Sequence, residues 1–154
     1  MIRTKRRIRL CAVLLVLNLV FIWGNSLLPA DASRAFSDWV GKLLSLLFSG
    51  GPGEGEGSGL LRKIAHFAEF ASLGICLGWL FGMLKKKPVW PFLLGTGVAC
   101  VDESIQLLVP DRGPGLKDVL LDSCGVAAGI VLLLIGHYLF IKRSTQKLLE
   151  DKPK

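Results

Sequence analysis

Apolar residues in this chain come in long runs separated by brief polar breaks. Residues 8–28 are apolar except for Arg9, Asn18, Asn25 and Ser26. At about 1.5 Å rise per residue, such a run crosses a hydrocarbon core of roughly 30 Å. Runs at 60–84, 90–109 and 118–141 read the same way. Residues 33–48 differ: Phe36, Trp39, Val40, Leu43, Leu44 and Leu47 fall at helical spacing, with Arg34, Asp38 and Lys42 elsewhere. That pattern predicts an amphipathic helix lying on the membrane surface or against the bundle. Residues 49–59 hold GGPGEGEGSG and read as a flexible polar linker. Lys85-Lys86-Lys87-Pro88 separates the second and third runs, and 110–117 is a short Gly/Pro turn.

The expected fold is therefore all-α and membrane-integral, with four transmembrane helices and an extracytoplasmic amphipathic helix. The membrane domain covers 8–141, between a basic N-terminus at 1–7 and a tail at 142–154. Composition agrees: 51% hydrophobic residues and a mean hydropathy of +0.52 exceed what a small soluble core needs. A cleaved leader competes for the first run, because basic residues precede it and Ala30-Asp31-Ala32 has the A-x-A form. The run is longer than the usual apolar region of such leaders, which favours a retained span.

The net charge of +7 sets topology. Of the 19 Lys and Arg, five lie between Arg3 and Arg9, three at Lys85–Lys87 and five from Lys142 onward. Placing these segments inside puts both termini in the cytoplasm. No aromatic residues are interleaved with the basic blocks to stack bases, so nucleic acid is not an expected partner. Cys11, Cys76, Cys100 and Cys124 fall in apolar runs without metal-type spacing and read as buried small hydrophobes.

With that topology the unusual polar residues collect in the outer half of the bilayer. Asn25, Ser26 and Pro29 end the first span; Arg62, Lys63, His66 and Glu69 begin the second. Glu103 and Gln106 lie near the outer end of the third, and Asp118 and Asp122 open the fourth. Glu103, ahead of Pro110, sits roughly 10 Å below the outer boundary. A carboxylate at that depth costs at least a few kcal/mol, so it faces protein or water and marks a functional site. Helical phase groups Arg62, His66 and Glu69 on one face, Glu103, Gln106 and Ala99 on another, and Asp118, Asp122, Gly125 and Gly129 on a third. The glycines, with Gly74, Gly78 and Gly82, read as packing contacts.

Each residue also has a plainer reading. Arg62 and Lys63 suit interfacial anchors, His66 a satisfied core histidine, and Asp118 a helix cap. Capping does not explain Asp122, and Glu103 and Asp122 are the strongest functional candidates. Arg112, beside the acids in the exterior turn, would suit a bidentate contact to phosphate or carboxylate.

Four spaced motifs resemble the VanZ-like family of small bacterial membrane proteins. They are Asn25-Ser26-x-x-Pro29, Lys63-x-x-His66-x-x-x-Phe70, Glu103-x-x-Gln106-x-x-x-Pro110-x-Arg112 and Asp118-x-x-x-Asp122-x-x-Gly125. The chain departs from the pattern at Phe70, where the family often has tyrosine, and at Asp122, where it often has asparagine. The resemblance implies a role at the cell envelope, because the family takes its name from a protein that raises teicoplanin resistance.

Three functions compete. In the first, an outward polar pocket formed by Lys63, His66, Glu103, Gln106, Arg112, Asp118 and Asp122 binds the head group of an envelope lipid or lipid-linked precursor. In the second, His66, Glu69, Glu103 and Asp122 serve a membrane-embedded hydrolase or transferase through acid/base work or a held cation. No metal ligand set or cofactor is assigned by motif, and neither H-E-x-x-H nor G-x-S-x-G occurs. The third, transport by an acid relay, ranks last, because the inner halves of the spans lack carboxylates.

Overall fold

A computed structural model describes residues 2–29, 31–32, 35, 38–40, 42, 57–110, 112 and 115–150. Four long helices occur among the described residues: α1 (Ile2–Ser26), α2 (Gly57–Met83), α3 (Val89–Gln106) and α4 (Leu116–Glu150). No strand occurs among the described residues. Most of the expected amphipathic helix and of the linker lies outside them, although every described residue between 31 and 42 is helical.

Among the described residues, three segments are long and apolar enough to cross a membrane: Thr4–Ser26, Leu60–Met83 and Leu116–Lys147. The third expected span does not meet that measure. α3 has 18 residues, and Asp102, Glu103 and Gln106 at its C-terminal end dilute its apolar character.

Element boundaries shift from the sequence reading for local reasons. Residues 57–59, expected as linker, form the first turn of α2, since extending an existing helix adds a hydrogen bond for each residue fixed. α4 continues past 141 through Lys142, Arg143 and Lys147, cations that its C-terminal dipole favours, while Asp118 occupies the first turn. α2 stops at a Schellman turn: Lys86 N–H donates to the Phe81 carbonyl at 2.9 Å and Lys85 N–H to that of Gly82 at 3.0 Å. Lys85 carries the left-handed φ of 54° that this turn requires. Pro91 is tolerated because it sits in the first turn of α3, where backbone N–H groups have no helical partner.

Glycine decides how closely the helices approach. A Cβ at Gly129 would collide with the Ala71 carbonyl, and one at Gly74 with the Val126 carbonyl. At Gly125 it would lie 2.6 Å from the Phe67 carbonyl oxygen. α2 and α4 therefore touch backbone to backbone, as small-residue seams allow in membranes. Gly95 brings α3 onto the same place, a Cβ there falling 2.6 Å from Val126 Cγ1. Around this point cluster Ile22, Phe70, Leu73, Leu77, Ala99, Val126 and Ile130, the buried core. Gly78 also packs, against Leu133 and Ile130, whereas Gly82 meets nothing within 4 Å; its expected packing role is not realised.

The outer surface is as apolar as the core, with Val13, Val20, Phe21, Leu94, Leu132 and Phe140 all exposed. Lipid is the environment that such a surface suits. The same fact corrects the reading of the cysteines: Cys11 is buried, with Sγ donating to the Cys76 carbonyl at 3.3 Å, but Cys100 and Cys124 are exposed. A small apolar thiol is as acceptable towards lipid as in a core, so an apolar run does not imply burial. All four thiols are free.

Gly129→Val is expected to destabilise the fold by at least the roughly 1–3 kcal/mol typical of overpacking, because the obstacle is backbone. Gly136→Ala, where a Cβ meets nothing within 4 Å, should leave stability unchanged or slightly raised. Unfolding of both variants in mixed micelles checks this, and equal midpoints for Gly129→Val and wild type would contradict the seam.

Candidate functional site

Chain direction alternates from helix to helix, so the C-terminal ends of α1 and α3 meet the N-terminal halves of α2 and α4. The polar residues of all four collect there. Ser26 Oγ donates to Asp102 Oδ2 at 2.8 Å, and Gln106 Nε2 donates to the same oxygen at 3.0 Å. Asn25 Nδ2 donates to Glu69 Oε1 at 2.8 Å, and the Gly115 N–H donates to Glu103 Oε2 at 3.1 Å.

Arg112 closes this end of the bundle. Its two terminal nitrogens donate to the main-chain carbonyls of Ser26 at 3.0 Å and Asn25 at 3.3 Å. These are C-terminal carbonyls of α1, which have no partner within their own helix and favour a cation. The guanidinium, expected to face an external anion, is thus engaged by backbone. Burial first, and then the positive charge of Arg62, pull its proton affinity below the ordinary arginine value, yet a guanidinium stays charged throughout.

A narrow cavity of about 10 Å³, close to the room that one water needs, is lined by Arg62, Lys63, His66, Glu103, Gln106, Asp118, Leu121 and Asp122. Of the residues singled out in the sequence, Lys63, His66, Glu103, Gln106, Asp118 and Asp122 thus share one cavity. Glu69 and Arg112 do not line it. Glu69 is turned towards Asn25 and a second, larger groove.

Sequence reasoning missed Asp102. It is fully buried, and one ligand atom each from His66, Asp102 and Asp122 lies within 4.8 Å of the other two. Its signal was present: Asp102 stands one turn before Gln106 and three residues after Ala99, on the face already assigned to that helix. Ser26, noted as the end of a span and as part of a family motif, proves to be a partner of that acid. Several buried atoms find no protein partner among the described residues, including Asp102 Oδ1, Asp122 Oδ2 and Glu69 Oε2.

The larger groove has a volume of about 630 Å³. Leu17, Val20, Phe21, Gly24 and Leu28 line one side, and Leu61, Ile64, Ala65 and Ala68 of α2 the other. Asn25, Arg62 and Glu69 supply its polar groups. Arg62 lines both the groove and the polar cavity.

Three apolar helices around a buried polar end define a multi-pass helical membrane protein. The VanZ/LLP1 family profile matches residues 8–140, and the chain belongs to that family. No curated protein and no solved structure matches it.

Arg112→Lys is expected to lower stability by roughly 1.5–3 kcal/mol, the worth of a hydrogen bond to a charged group, since an ammonium does not reproduce the forked contact to two carbonyls. Thermal unfolding in micelles reads the effect; an unchanged midpoint would mean that the clasp contributes nothing.

Proposed function

We propose that this protein binds the phosphorylated head group of an envelope lipid or lipid-linked precursor, with the lipid chain lying in the groove between α1 and α2. The observation that carries this reading is the shared position of Arg62, which borders an almost wholly apolar groove on one side and a carboxylate-rich cavity on the other. The groove volume falls within the roughly 300–1,000 Å³ of ligand sites, and a few polar groups at one end fix a ligand's orientation. The cavity itself admits little more than a water, so the head group sits at its mouth. There Arg62 and exposed Lys63 meet phosphate, and Asp118 meets amine or hydroxyl groups.

In this reading α3 is a fourth span. Its 18 residues extend about 27 Å at 1.5 Å per residue, enough for a hydrocarbon core. The basic segments hold both termini in the cytoplasm of a bacterial cell. The polar end then faces outward, beside an amphipathic helix on the outer surface of the cytoplasmic membrane. Occupying a lipid-linked precursor at that surface would alter susceptibility to glycopeptides of the teicoplanin type.

A second reading, a membrane-embedded hydrolase or transferase acting on such a lipid, is favoured by the convergence of His66, Asp102 and Asp122. It differs from the first in predicting turnover of the bound lipid.

Protein extracted in mild detergent is expected to carry lipid that mass spectrometry identifies. Arg62→Glu should reduce retention of anionic lipids at least about tenfold, a loss of 1.4 kcal/mol, and Ala65→Trp should displace lipid by filling the groove. Expression of wild type, and not of Arg62→Glu, should shift teicoplanin susceptibility. Unchanged lipid content and composition in both variants would sink the binding reading, and release of phosphate from a lipid diphosphate would favour the enzyme.

A further inference from the structure

We propose that His66, Asp102 and Asp122 form a binding site for a divalent ion of the first transition row. Each residue comes from a different helix, α2, α3 and α4 respectively, and one ligand atom of each lies within 4.8 Å of the others. Separations of this size close onto a common ion with small side-chain movements, since metal–ligand bonds near 2 Å place neighbouring donors roughly 3–4 Å apart.

The state of the carboxylates is the second observation. Asp102 is fully buried and Asp122 is 1% exposed. Oδ2 of Asp102 receives hydrogen bonds from both Ser26 and Gln106, which fix the group and leave Oδ1 with no protein partner. Oδ2 of Asp122, whose side chain lines the polar cavity, likewise has none. A carboxylate held through one oxygen with the other left over is how outer partners prepare a metal ligand. Two carboxylates buried this close repel when both are ionised, and a cation between them removes that cost.

The donor set narrows the ion. Two carboxylates and one imidazole without thiolate suit Zn²⁺ or Mn²⁺ better than Ca²⁺ or Mg²⁺, which prefer oxygen alone. Three protein ligands leave a coordination position free, and the cavity shared by His66 and Asp122 gives it the room of about one water. An ion here would also tie three helices together beside the glycine seam of α2 and α4.

The test uses the full chain in nanodiscs, carrying a purification tag without histidine and stripped with a chelator. Zn²⁺ and Mn²⁺ are titrated by calorimetry, and Co²⁺ by its visible absorption. The expected result is one ion per chain, with binding at least about 100-fold weaker in Asp122→Asn and in His66→Gln. Ser26→Ala should weaken it by roughly 10–100-fold, the usual effect of removing an outer partner. His137→Gln, at the only other histidine and on the exposed face of α4, should bind as wild type. Zn²⁺ should raise the melting temperature of wild type and not of Asp122→Asn. Equal affinities in wild type and His66→Gln would overturn the proposal, and so would a wild type giving no saturable Co²⁺ spectrum, whether or not any variant folds. The nanodisc lipid is the same in every titration and the readout is bound metal, so these outcomes are read separately from the identity of the groove's ligand.

Discussion

The polar end of this bundle depends on the backbone contact between α2 and α4. Gly125 and Gly129 accept the carbonyls of Phe67 and Ala71, and Gly74 accepts that of Val126. No side chain larger than hydrogen fits at these points, so the two axes lie closer than ordinary helix packing permits. Asp122 is one turn before Gly125 on the same face and is carried into the interface by the seam. His66 immediately precedes Phe67 on the partner helix. Their proximity is therefore a consequence of apolar packing several residues away, and α3 joins them because Gly95 lets it rest on Val126.

Once buried, these groups set conditions for everything around them. A buried carboxylate needs donors, and Asp102 obtains them from Ser26 of α1 and Gln106 of its own helix. Ser26 cannot be moved, because its carbonyl is held by Arg112 from the turn preceding α4. One chain of contacts thus links α1, α3 and the turn before α4, and the Gly115 N–H adds Glu103 to it. At this end of the bundle Asp102 Oδ1, Asp122 Oδ2, Glu69 Oε2 and Arg112 Nε find no protein partner among the described residues. Half-satisfied polar interiors are worse than apolar ones, so these atoms carry a cost that a partner at the site would relieve. The cost is consistent with a site that exchanges an ion, a water or a ligand group.

Much of this was readable from the sequence, and the parts that were not share a cause. Long apolar runs marked α1, α2 and α4, and carboxylates within such runs marked the polar end, because burial of charge in a membrane is too costly to be incidental. Helical phase put His66, Gln106 and Asp122 each on the polar face of its own helix, and the three line one cavity. Phase could not choose between adjacent Asp102 and Glu103, because the distinction is made by Ser26, 76 residues away in sequence. The same limit applies to Arg112: sequence shows a cation beside acids, but the carbonyls that engage it belong to the end of α1. The cysteines failed for another reason. In a membrane, apolar sequence is uninformative about which face is inside, and only contacts such as Cys11 with Cys76 decide it.

The groove and the polar cavity also make sense together. α1 and α2 stay apart where Leu17, Val20 and Phe21 face Ile64, Ala65 and Ala68, leaving an apolar channel along the bundle. The channel ends at Arg62, beside the cavity that the glycine seam and the acids create. A water-soluble ligand has no use for such a channel, whereas an amphipathic one must satisfy both parts at once. Its chain gains little by leaving bulk lipid for another apolar surface, so discrimination among lipids has to come from the head-group end. On the proposed lipid-binding reading, the electrostatics of Arg62, Lys63 and the buried acids, rather than the volume of the groove, would set which lipid is selected.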